Sequence, residues 1–194
     1  MTLQKETEVY DTFLLTQPYP QQLVSPFRLK DNTEVIIRPI QPDDEALLVR
    51  FHDHLSERSV YFRYFHMIGL SQRTDHERLR DICRIDYKYE MVLVATLTDH
   101  RTGLPAILGV GRLNRLPGEQ EAEFAVVVGD CWQGQGLGIQ LVRRLIAYAR
   151  SEKLARVVGE IHPDNRLMQQ ICLKLGFKRH YSIEDRLLFV SLAL

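Results

Sequence analysis

The chain has 194 residues, 45% of them hydrophobic, enough to bury one substantial core and in keeping with a single domain. Its 25 Lys and Arg cancel 25 Asp and Glu, so no global field draws it to nucleic acid or to an anionic membrane, and any bound anion must be held by a local device. Cys83, Cys131 and Cys172 are far apart and form no Cys-x-x-Cys pair, which argues against a disulfide framework or a zinc site and points to a reducing, cytoplasmic setting.

Residues 1–25 mix Lys5, Glu6, Glu8 and Asp11 with Pro18 and Pro20. They lack the order of a signal peptide and read as an irregular arm ahead of a domain spanning 26–194. No segment approaches the run of roughly 18 apolar residues that spans a bilayer. Phe27–Lys30 and Val35–Ile40 flank Asp31-Asn32, a pair suited to a tight turn, and predict a first hairpin. Pro42 and the acids Asp43, Asp44 and Glu45 open a helix carrying Leu47, Leu48, Phe51 and Leu55. Ser56 and Ser71 are placed to cap two more. Met91–Leu97, Ala106–Leu113 and Ala122–Val128 are apolar runs of strand length, the first two joined across Asp99–Gly103, and predict an antiparallel meander. A helix with Leu137, Leu141, Leu145, Ile146 and Ala149 on one face follows the segment Gly129–Gly138. Arg156–Ile161 reads as a strand, Asn165–Leu175 as a helix stopped by Gly176, and Phe177–Ser182 with Leu187–Leu192 as a closing pair. The predicted class is α/β (α+β), with helices flanking a mixed, mostly antiparallel sheet of six to seven strands.

The glycines of Gln133-Gly134-Gln135-Gly136-Leu137-Gly138 lie between a strand and a helix. A helix start has unpaired N–H groups and a partial positive charge, and glycine lets a diphosphate approach the backbone. No Gly-Lys-Ser/Thr ends the loop and no three-glycine dinucleotide spacing is present, so it is neither a P-loop nor a dinucleotide site. Taken alone it is either a pyrophosphate cradle or a plain turn.

Gln133-x-x-Gly136-x-Gly138 resembles the acetyl-CoA signature of the GNAT acetyltransferase superfamily. Asn165, with Lys174-Leu175-Gly176-Phe177 after its helix, is similar to the family's second motif, where the asparagine lies beside the pantetheine arm. Ile37-Arg38-Pro39-Ile40, Pro42-x-Asp44, Tyr61-Phe62-Arg63-Tyr64-Phe65, Ile85-Asp86-Tyr87 and Ala122–Val128 resemble the acetyltransferase domain of bacterial protein lysine acetyltransferases. In those proteins the domain is often fused to an acyl-CoA-synthetase-like region, and here it is expected to stand alone.

The resemblance implies acetyl-CoA as cosubstrate, no metal, and a glutamate on the family's fourth strand as general base. That residue is Glu123, with Phe124 and Val126 expected to desolvate it. A base has work to do: a lysine pKa of about 10.4 makes deprotonation at pH 7 cost roughly 4–5 kcal/mol. Glu121, two residues away, is the competitor; for Asp86 and Glu90 the narrower resemblance suggests the acceptor side, with structural ion pairs to Arg84 or Arg63 as the other reading. The resemblance places the thioester carbonyl and phosphates on main-chain N–H groups of Val126, Val128 and the segment Gln133–Ile139, including Gly134, Gly136, Leu137, Gly138 and Ile139, with Asn165 on the pantetheine side. Cys172 stands where many members carry an acidic tyrosine. The histidines form no metal-ligand pair and read mostly as surface residues.

The expected activity is acetyl transfer to an amine, foremost a protein lysine. A small-amine N-acetyltransferase and a non-catalytic acyl-CoA-binding sensor are the alternatives. Expected partners are acetyl-CoA and the acceptor, with homodimerisation open and neither nucleic acid nor membrane.

Overall fold

The computed structural model describes residues 18–98, 103–118 and 120–194. Asp31 and Asn32 form the predicted turn: the Asp31 carboxylate accepts from the Thr33 N–H at 2.9 Å, and Asn32 adopts φ of 70°. The turn joins β1 (Ser25–Arg28) to β2 (Glu34–Pro39) as an antiparallel hairpin. Four short helices follow where three were expected: α1 (Glu45–Asp53), α2 (Glu57–Tyr64), α3 (Leu70–Arg73) and α4 (His76–Cys83). Ser56 caps α2, its hydroxyl accepting from the Ser59 N–H. Ser71 caps nothing and lies inside α3, because Asp75 stands directly before the apolar-periodic run and takes the Arg78 N–H to cap α4.

The central meander is β3 (Glu90–Thr98), β4 (Pro105–Arg115) and β5 (Glu121–Val128), all antiparallel; most of the Asp99–Gly103 connection lies outside the described residues. Helix α5 (Leu137–Ser151) then crosses over so that β6 (Arg156–Ile161) runs parallel to β5. Helix α6 (Arg166–Lys174), β7 (Lys178–Ser182) and β8 (Leu187–Ala193) complete the chain. The sheet order is β1-β2-β3-β4-β5-β6-β8-β7, with β5–β6 its one parallel pair. The mixed, mostly antiparallel sheet is as predicted, with eight strands rather than six or seven because the short β1 and the edge strand β7 both pair along their length.

The two faces of the sheet carry separate cores. On one, Leu141 and Leu145 of α5 pack with Met91, Phe124 and Val157. On the other, Leu48, Val60 and Leu79 from α1, α2 and α4 pack on Val92, Val94 and Ile107. No residue of β6, β7 or β8 joins that second cluster among the described residues, so this half of the face is left uncovered.

Several residues behind the narrower family resemblance build the frame. Arg38 forks onto Asp44 at 2.7 and 2.6 Å, fixing the turn into α1. The Tyr19 and Tyr87 hydroxyls donate to the carbonyls of Pro39 and Ile40 at 2.9 and 3.1 Å. No helix among the described residues is long and apolar enough to cross a membrane.

Candidate active site

The parallel ladder between β5 and β6 holds for three rungs, Glu121–Arg156, Ala122–Val157 and Glu123–Val158, and then ends. On its other side β5 stays paired with β4 as far as Val128. The two parallel strands therefore splay apart beyond Glu123. The Glu121 carbonyl accepts from the Leu116 N–H, and the Gly129 N–H donates to the Leu108 carbonyl. Odd-numbered residues of β5 thus turn their main-chain groups to β4 and even-numbered ones to β6. The N–H groups of Val126 and Val128 consequently face the opening, as the resemblance implied.

A cleft of about 450 Å³ occupies the splay and reaches the start of α5. Val126, Val128, Gln133, Gly134, Gly136, Gly138, Ile139 and Asn165 all line it. Leu137 does not: its side chain is buried in the core, so only its main chain is offered at the first turn of α5. The glycines differ in their reasons. Gly134 and Gly136 have φ of 76° and 90°, a region costly for residues with a Cβ. Gly138 is a tight packing position, since a Cβ there would lie 3.3 Å from the flexible end of Ile171, at Cδ1. Asn165 caps α6, its side-chain oxygen accepting from the Met168 N–H at 3.1 Å.

The cleft also carries five cations, Lys30, Arg58, Arg63, Arg166 and Lys174, with no Asp or Glu among its lining residues; Arg63 and Lys174 belong to the motifs of the resemblance, but none of the five was expected at the cofactor site. They come from the first turn, α2 and α6, and give a neutral chain a locally positive pocket at a helix N-terminus. The legible signal was on α6, where Arg166, Gln170 and Lys174 recur every fourth residue along one face. Arg58 also lies over the Phe62 ring at 5.2 Å, and burial pulls the Arg63 guanidinium below its ordinary pKa.

Gln133 is a clamp in the fold. Its amide nitrogen donates to the Ser59 hydroxyl at 3.0 Å and to the Val128 carbonyl at 3.1 Å. The Ser59 hydroxyl in turn donates to Asp130 at 2.8 Å. Loop, strand end and α2 are held together by this chain of bonds. At the far end of the splay His162, just past β6, packs on the rings of Tyr61 and Phe62 at 5.1 and 5.7 Å, bridging the opening.

Glu123 lies at the last rung and lines a second groove, of about 410 Å³, on the uncovered half of the other face. Phe124 and Val126 do not desolvate it, because alternation along the strand sends both to the α5 face. Its neighbours in space are charged: Glu123 interacts with Arg63, which lines the cleft, and with Glu160, which lines the groove. Glu121 is taken by Arg156 at 3.0 Å. Glu90 pairs with Arg112 rather than with Arg84 or Arg63, and Asp86 accepts from the Lys88 N–H at 2.9 Å. Cys172 is fully buried, and burial pushes its thiol up to about 12. His52 departs from the surface reading, being 5% exposed in the core beneath α1.

A family profile for the acetyltransferase (GNAT) domain matches residues 34–178. The chain is 31% identical over 149 residues to the acetyltransferase PA5475 of Pseudomonas aeruginosa, covering 77% of each protein. It is 25% identical over 151 residues to the acetyltransferase Pat of Mycolicibacterium smegmatis, covering 78% of this chain and 43% of that protein. Its fold is similar to the crystal structure of the GNAT domain of S. lividans PAT, with TM-score 0.80, 26% identity, 91% of this chain and 100% of that domain covered. The opened parallel pair, the cationic cleft at a helix start and these likenesses agree: the chain belongs to the GNAT family of acetyltransferases.

Proposed function

We propose that the chain transfers an acetyl group from acetyl-CoA to the ε-amine of a protein lysine, with Glu123 as the base that takes the amine's proton. The observation that carries this reading is the position of Glu123 on the last rung of the β5–β6 ladder, where the splay begins: it lines the second groove, while Val126 and Val128, further along the same strand, line the cleft.

The residues present fit the cosubstrate. Its phosphates need positive potential and main-chain donors, and the cleft offers five cations and the start of α5. When bound, acetyl-CoA supplies the activated thioester. The main-chain N–H groups of Val126 and Val128 polarise the carbonyl. Gln133 holds the loop in shape from behind, while Gly134 and Gly136 let the backbone come close to the diphosphate. The amine enters from the groove and meets Glu123, which offsets the roughly 4–5 kcal/mol cost of deprotonating lysine at pH 7. Cys172 has no part as an acid, so solvent returns the proton to sulfur. The catalytic unit runs through residues 26–194 and works in the cytoplasm; most of the expected arm at 1–25 lies outside the described residues.

The test is incubation of the purified chain and its E123Q variant with labelled acetyl-CoA and a cell lysate. Label on protein lysines that disappears with E123Q is expected. Label on small molecules alone would replace the lysine reading, and unchanged labelling by E123Q would remove Glu123 as base.

A further inference from the structure

Glu160 follows Val158 by two residues on β6, and Val158 is the register partner of Glu123, so both glutamates stand on the same face of adjacent strands. Both line the second groove, together with Lys178 and His180 of β7 and Phe189 of β8. Neither is engaged in an ion pair or a side-chain hydrogen bond among the described residues. Other acids of this sheet and its surroundings are matched to guanidinium groups: Glu121 to Arg156, Glu90 to Arg112 and Glu152 to Arg115. The charge of Arg63 reaches Glu123, but neither carboxylate has an ion-pair contact among the described residues, and as diagonal neighbours on adjacent strands the two repel. The repulsion registers on Glu160, whose carboxyl is raised above its ordinary value by burial first, then by the charge of Glu123, then by Asp185 in the β7–β8 turn. Arg63 faces Glu123 from α2, and Lys178, Arg179 and His180 reach the groove from β7.

We propose that Glu160 is a specificity residue which, together with Glu123, binds the acceptor as an ammonium ion, so that the groove selects aliphatic, positively charged amines over uncharged arylamines. This rests on the reading of Glu123 given above. An ammonium group carries three donors and one positive charge, and placed between two acids it satisfies both and removes their repulsion. The apolar Phe189 and Val158 in the groove wall suit the methylene stem of a lysine. Glu160 is exposed and so open to an incoming amine. After binding, Glu123 takes the proton and Glu160 keeps its place beside the neutralised nitrogen.

The experiment measures acetyl transfer by the full chain, at saturating acetyl-CoA, to two short peptides with blocked α-amines. They are identical except for one residue, lysine in one and 4-aminophenylalanine in the other. For E160Q the KM for the lysine peptide is expected to rise about tenfold, with kcat and the KM for acetyl-CoA within about twofold of wild type. Transfer to the arylamine peptide is unchanged, and E160D restores most of the lysine-peptide KM. A lysine-peptide KM unaltered in E160Q, or an equal rise for both peptides, overturns the assignment of Glu160. Loss of the underlying reading looks different: wild type then fails to acetylate the lysine peptide, or E123Q acetylates it normally. Equal melting temperatures for E160Q and wild type exclude a folding defect as the cause of the expected rise.

Discussion

Asp130 is bonded twice by Ser56, from its main-chain N–H at 2.9 Å and from its hydroxyl at 2.7 Å, across 74 residues of chain. A third bond, from the Ser59 hydroxyl at 2.8 Å, makes this carboxylate the anchor between α2 and the glycine loop. Since α2 brings Arg58 and Arg63 to the cleft, the anchor also sets the position of two of its cations.

Asp130 to asparagine keeps the shape and removes the charge. Burial raises the Asp130 carboxyl, but the hydrogen bonds from Ser56 and Ser59 outweigh it and hold the folded pKa below its usual value. A lowered carboxylate stabilises the fold above its unfolded pKa and ceases to do so as pH falls through the folded one. D130N should therefore be less stable by about 1 kcal/mol at pH 7, a figure discounted for the exposure of the site. The gap should close below pH 4 or so. Urea denaturation of both proteins across that range checks it.

Gln133 to alanine removes both bonds of the clamp while leaving every cation in place. At about 1 kcal/mol for a net hydrogen bond, the KM for acetyl-CoA should rise roughly three- to tenfold. The KM for a lysine peptide should stay near wild type. Steady-state kinetics with each substrate varied separately distinguishes the two.

The glycine loop at the strand-to-helix junction was legible because its signal is local. Spacing in Gln133–Gly138, with Asn165 and Gly176-Phe177 in register, needs only the sequence, and strand alternation with the α5 stripe supplied the architecture around it. The cations were not legible in the same way, because Lys30, Arg58 and Arg166 are drawn together by the fold from segments far apart in the chain. The surroundings of Glu123 failed for the opposite reason: Phe124 was judged by adjacency in sequence, whereas a strand sends adjacent residues to opposite faces. His52 did leave a trace, since it follows Leu48 by four residues, on the buried side of α1.

His52 should impose a pH dependence on stability. Burial first, then the charges of Arg73, Arg78 and Arg63, lower its pKa from 6.5 to about 4. The unfolded chain takes up a proton as pH falls below 6.5 while the folded one resists, so this contribution is complete above 6.5 and is lost on the way down to about 4. The expected loss is about 2 kcal/mol between pH 7 and pH 5. His52→Gln should flatten that part of the stability profile, as read from denaturation midpoints at the two pH values. A profile unchanged by the substitution would assign the dependence to other groups.

Gly136 and Gly138 should respond differently to alanine. At Gly136 the φ of 90° penalises any Cβ although the nearest atom to it would be Phe27 Cζ at 3.9 Å, so the cost is backbone strain of about 1–2 kcal/mol. That strain also disturbs the N-cap of α5, so acetyl-CoA binding should weaken along with stability. At Gly138 the added carbon would meet the flexible end of Ile171 at 3.3 Å, which can yield by a few tenths of an ångström. G138A should therefore be the milder variant in both melting temperature and acetyl-CoA affinity, as thermal denaturation and isothermal titration of the two would establish.

Gly159 leaves room for the Phe124 ring at the point where the splay begins. It is the first residue of β6 beyond the last parallel rung, and a Cβ on it would fall 2.6 Å from Cε1 of Phe124, whose ring packs on Phe177 with centroids 5.4 Å apart. Alanine cannot be accommodated without moving that ring or pushing β6 away, and overpacking of this kind costs about 1–3 kcal/mol. Because the clash is with one side chain, shortening that side chain should relieve it. F124L alone should destabilise by leaving a void, yet G159A with F124L should be more stable than the two single effects added together predict. Strict additivity in a double-mutant cycle of denaturation free energies would mean that Gly159 is set by the path of β6 and not by the Phe124 ring.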